Sequence, residues 1–108
     1  MSDVEETLRQ HPSFGVGAAI AEDDVGSGKL EYRSHGKLVP WWAEIAEILQ
    51  ERYRITFDVV GDCITDMAVA AEAAGYNERM ETEFRSRFGV DIIESVTREV
   101  ERKRKKRR

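Results

Sequence analysis

One apolar series constrains this chain more than any other feature. Val69, Ala73, Tyr76, Met80, Phe84 and Phe88 recur at steps of three or four. That spacing lines one face of a helix, so a helix is predicted over 65–88. Gly75 interrupts the series and is expected to divide the helix or bend it. Gly89 supplies a C-terminal stop.

The flanking segments extend the pattern. Ile92, Val96 and Val100 mark a further apolar face, and Asp91 with Glu94 resembles a cap, so a helix is predicted over 91–105. It can run on into the basic end of the chain, because Glu99 with Lys103 and Glu101 with Lys105 are favourable i,i+4 pairs. Pro40 followed by Trp41, Ile45, Ile48 and Leu49 predicts a helix over 40–53. Ser2 with Glu5 has capping-box spacing, which predicts a short helix over 2–10, stopped by Pro12.

Six of the eight glycines lie at or before Gly61, so the first half reads as strands and turns. Phe14 to Ala21 is apolar and small, which suits a buried strand over 14–21. Residues 22–28, Glu-Asp-Asp-Val-Gly-Ser-Gly, read as a hairpin loop. Residues 29–34 alternate, with Leu30 and Tyr32 opposed to Glu31 and Arg33, and predict a strand antiparallel to the first. Residues 55–60 are β-rich and predict a third strand. The helix between the second and third strands would act as a crossover and set those two parallel. The expectation is an α+β domain, with a sheet of about three strands and helices on one face.

Length and composition exclude other classes. A chain of 108 residues is one domain by size, and 41% apolar content supports one modest core. Collagen, disulfide scaffolds and large multi-site enzymes do not fit. The net charge of −4 conceals two opposed parts. Residues 102–108 carry seven cations, while residues 1–101 hold 10 Lys and Arg against 21 Asp and Glu. The chain is therefore divided into a folded part, 1–101, and a basic tail, Arg102, Lys103, Arg104, Lys105, Lys106, Arg107 and Arg108. Seven cations could neutralise phosphates with a steep salt dependence. The tail holds no aromatic residue, so base stacking from within it is absent.

A single cysteine, Cys63, implies no disulfide framework and suggests a cytoplasmic setting. The acidic first residues do not resemble a leader. No apolar run approaches the roughly 18–20 residues that span a bilayer.

Few residues suggest catalysis. Cys63 lies between a predicted strand and helix, and His35 could approach it from a neighbouring strand end, as a nucleophile and base would require. Asp62 and Asp66 would oppose thiolate formation, and a buried, inert cysteine is the simpler reading. Asp58, Asp62 and Asp66 recur every four residues and carry the oxygen ligands that Mg²⁺ or Ca²⁺ prefers. Helix caps and surface acids explain them more simply, so no metal or other cofactor is expected. Gly26-Ser27-Gly28-Lys29 lacks the first glycine, the hydroxyl after the lysine and the following helix of a phosphate-binding loop.

Binding residues stand out more clearly. Trp41 and Trp42 are adjacent, and neighbours on a helix point about 100° apart. Either one enters the core and the other lies on a rim or interface, or both are core residues at a crowded helix start. Tyr76 and Met80 could line a groove, although a stripe at helical spacing is ordinarily core. These features favour a non-enzymatic interaction module that acts through a protein–protein surface and self-associates. The alternatives are a nucleic-acid accessory protein anchored by residues 102–108, and a small thiol-dependent enzyme or ligand-binding domain around Cys63.

Overall fold

The computed structural model describes residues 3–35, 39–61 and 66–106. Among these residues five helices and two strands follow in the order α1 (Asp3–Gln10), α2 (Pro12–Gly26), β1 (Leu30–His35), α3 (Trp42–Tyr53), β2 (Ile55–Gly61), α4 (Met67–Phe88) and α5 (Ile92–Lys106). The architecture is α+β, with two strands rather than three.

The missing strand is α2. Residues 14–21 are helical, and Pro12 opens this helix instead of only ending the previous one. His11 is its N-cap, where Nδ1 accepts a hydrogen bond from the Ser13 amide at 3.1 Å. The small residues of this segment serve a close crossing with α4. A Cβ on Gly17 would lie 1.9 Å from the Glu72 carbonyl oxygen, and one on Gly75 would lie 2.0 Å from the Phe14 carbonyl oxygen. Both distances are sterically forbidden, so the two backbones touch only because glycine stands at each place. Gly75 consequently does not divide α4, which is continuous over its 22 residues.

With α2 a helix, the predicted antiparallel hairpin does not exist. Residues 22–26 form the last turn of α2, and the Ser27 amide donates to the carbonyls of Asp23 and Asp24. Gly28 then turns the chain into β1 with φ 81°, a conformation glycine adopts freely.

The crossover prediction agrees with the fold. β1 and β2 are parallel, with Tyr32 opposite Phe57, and α3 connects them. Leu30 and Ile55 enter one buried cluster with Ile45 and Leu49 of α3, Tyr76, Met80 and Phe84 of α4, and Ile92, Val96 and Val100 of α5. Burying a large apolar side chain contributes roughly 1.5–3 kcal/mol, so this cluster is the principal source of stability. The far edge of β1 is closed by a side chain. Asn77 accepts from the Arg33 amide at 2.8 Å and donates to the Arg33 carbonyl at 2.6 Å, as a neighbouring strand would.

Candidate functional site: a basic cavity over Trp41

The tryptophans diverge where the chain enters α3. Trp42 stacks on Phe57, which stacks on Tyr32, with ring centroids 6.3 and 5.9 Å apart. It remains 36% exposed. Trp41 turns the other way, half-buried, toward the end of α5. The inward seam of α5 is Ile92, Val96 and Val100. One turn beyond Val100 that seam presents Arg104, whose guanidinium lies 5.0 Å from the centre of the Trp41 ring. A contact of this kind contributes about 0.5–1 kcal/mol at an exposed place.

Trp41, Arg98, Glu101, Arg102, Arg104 and Lys105 line a cavity of about 470 Å³. Glu101 is the one acid in that wall. Arg98 is paired with Glu94, one helical turn away. Arg102 and Lys105 have no acidic partner among the described residues. The indole Nε1 of Trp41 is enclosed and has no hydrogen-bond acceptor among them either. A buried donor in that condition costs about 1–3 kcal/mol. Trp41 is also the N-cap of α3, and its side chain makes no capping bond.

The same two helices are tied again at the far end of α3 and the middle of α5. Arg52, in the last turn of α3, forms a two-pronged ion pair with Glu99 of α5, at 2.8 and 2.9 Å. Lys103 approaches the same carboxylate at 3.2 Å. Hydrogen bonds from Arg52 first and Lys103 second hold the Glu99 carboxyl below the usual carboxylate range.

A second cavity, of about 610 Å³, lies between α1, α2, β1 and α4. Its arginines are already engaged, Arg9 with Glu78 at 2.7 Å and Arg85 with Asp91 at 3.8 Å. Burial, aided by Asp91, raises the pKa of the Glu81 carboxyl in its wall. Burial also raises the Tyr32 phenol. With its cations paired, this cavity offers an anion less than the one over Trp41.

The remaining candidates are distributed elsewhere. Tyr76 and Met80 are wholly enclosed in the core and line no groove. Burial, and a hydrogen bond donated to Asp24 at 2.7 Å, push the Tyr76 phenol far above its ordinary pKa. Asp66 caps α4 by accepting from the Ala68 amide at 2.8 Å, and Asp58 is exposed on β2. Among the described residues no group of three or more His, Cys, Asp or Glu could hold a metal ion. Cys63, Asp62, Arg107, Arg108 and the His35 side chain lie outside the described residues. Among the described residues, no helix is long and apolar enough to cross a membrane. Residues 102–106 of the basic segment form the last turns of α5.

Sequence reasoning named Trp41 and the cations but did not join them. Arg104 stands 63 positions after Trp41, and no local spacing signals the contact. Arg98, outside the seven-cation run, was missed altogether. Its relation to Arg102 and Lys105, at i, i+4 and i+7, is the periodic signal that could have found it.

No family model, curated protein or solved structure matches this chain.

Proposed function

We propose that the protein is a non-enzymatic interaction module of the cytoplasm whose docking face is the basic cavity over Trp41. The observation that carries this reading is Arg104 seated over the Trp41 ring in a cavity also walled by Arg98, Arg102 and Lys105. Arg102 and Lys105, which have no acidic partner among the described residues, stand with the Glu94-paired Arg98 beside an aromatic ring and form a surface for an anionic partner. Trp42, exposed beside Phe57, extends the aromatic character onto the sheet.

The test is capture from a lysate of the native host at moderate salt, with wild type and an Arg102→Glu/Lys105→Glu variant as baits. The expected result is a salt-sensitive set of retained species that the variant loses. Identical retained species on both baits would reject the reading.

Self-association is a second reading, favoured by the charge division between an acidic body and a cationic helix end. One copy's α5 would then meet the acidic surface of another, and Trp42→Ala would weaken the contact. Sedimentation over a range of salt concentrations tests it. A monomer at high concentration and low salt would count against it.

A further inference from the structure

We propose that the partner of this face is a single-stranded nucleic acid, its backbone tracked by α5 and a base placed against Trp41. The inference rests on the interaction-module reading and names its partner. Binding of single strands requires cations that follow the phosphates and an aromatic platform for a base. The segment 102–108 alone lacks the platform, since it contains no aromatic residue. The fold supplies it by carrying Trp41 beneath the cationic helix end.

The geometry suits a strand in three respects. Arg102 and Lys105, the two cations of the wall with no acidic partner among the described residues, stand on one face of α5 with Arg98, which is paired to Glu94; the steps of four and three residues are a rise of about 6 and 4.5 Å. Successive phosphates of an extended strand can meet cations ordered in that way. The cavity below them, about 470 Å³, is large enough to admit a base beside Trp41 and Arg104. Arg104 offers a planar cation on which a base can stack, and it already lies against the indole. Glu101 lines the same wall and disfavours phosphate at that one place, which leaves the line from Arg98 to Lys105 as the track for the backbone. A duplex keeps its bases stacked inside and has no use for Trp41, whereas a single strand presents bases freely.

The experiment uses the full chain carrying Trp42→Phe, so that indole fluorescence reports Trp41 alone. A short labelled oligothymidylate is titrated at several salt concentrations, with inorganic polyphosphate and polyglutamate as polyanions that have no bases. The expected result is tight binding of oligothymidylate with quenching of Trp41, and no quenching by the other two. A second variant adds Arg102→Gln and Lys105→Gln, both on exposed positions, with circular dichroism as a check on folding. Each lost phosphate contact should flatten the slope of log affinity against log salt by about 0.7, so the pair should flatten it by about 1.4. Oligothymidylate that binds no better than polyglutamate and leaves Trp41 unquenched would overturn the proposal, as would a salt slope unchanged in the second variant. Either result would leave the interaction-module reading standing if Arg102→Glu/Lys105→Glu still loses its captured species. Failure of that capture test as well would remove both.

Discussion

Two helix pairs in this molecule meet in opposite ways. Helices α2 and α4 touch backbone to backbone, through Gly17 and Gly75, with no side chain between them at the crossing. Helices α3 and α5 share the apolar cluster through Ile45, Leu49, Val96 and Val100 and flank it with long charged and aromatic side chains, Arg52 with Glu99 midway along α5 and Trp41 with Arg104 near its end. The first contact leaves no space, and the second leaves a cavity of about 470 Å³. Close packing fixes a single arrangement because interiors tolerate little change of volume. Flexible side chains around a void can be rearranged at small cost. The part of the molecule that fixes the fold and the part best suited to a partner are therefore different helix pairs.

The sharpest way to break this contrast is to place a methyl group in the tight crossing. Gly17→Ala and Gly75→Ala each drive a Cβ into a carbonyl oxygen about 2 Å away, and each is expected to cost about 3 kcal/mol. Gly15, two positions from Gly17 in the same helix, has nothing within 4 Å of its Cβ position. Gly15→Ala should instead stabilise by up to about 1 kcal/mol through helix propensity. Urea unfolding of the three variants measures the difference. If Gly17→Ala and Gly15→Ala behave alike, the backbone contact is not what sets the crossing.

The next effect is smaller. Tyr76→Phe keeps the packing of a fully enclosed ring but removes the hydrogen bond to Asp24 that links α4 to α2. A loss of about 1 kcal/mol is expected in the same unfolding assay. An unchanged midpoint would mean that the crossing is held by shape alone.

A third prediction concerns pH. The Glu81 carboxyl has its pKa raised in the folded state, by burial first and by Asp91 second. A raised folded value means that the folded state binds the proton more tightly. The stability this confers is present below the unfolded pKa and is lost as pH rises through the folded one. Glu81→Gln should therefore be more stable than wild type at neutral pH, with the advantage shrinking as acid protonates the wild-type carboxyl. A constant difference across pH would show that Glu81 is not desolvated by its cavity.

The same contrast explains what could be read from the sequence. Helices α4 and α5 were legible because Tyr76, Met80 and Phe84, then Ile92, Val96 and Val100, repeat at the helical period. The parallel strands were legible because a helical segment separates two β-rich ones. Helix α2 was not legible. Its Gly17, Ala18 and Ala21 are small and carry little periodic contrast, and the purpose of Gly17 exists only against α4. The site divides likewise. Trp41 and the cations were visible as types, but their meeting depends on how α3 and α5 cross. Tyr76 and Met80 were readable as core first and as a groove second, since the pattern that marks a core marks a groove too.

The smallest expected effect separates the tie from the cavity. Glu99→Gln weakens the two-pronged pair with Arg52, which is largely exposed, and exposed pairs contribute little. Hydrogen bonds from Arg52 and Lys103 lower the folded pKa of Glu99. Its contribution is therefore present above the ordinary carboxylate pKa and is lost as pH falls through the folded value. Urea midpoints of wild type and Glu99→Gln should differ slightly at neutral pH and converge in acid. The same variant removes a negative charge one turn from Arg102 and releases Lys103, so polyanion binding should strengthen modestly at low salt. Weaker binding would mean that the Arg52–Glu99 tie positions the end of α5 over Trp41, and the cavity would then be less independent of its supports than the contrast with α2 and α4 implies.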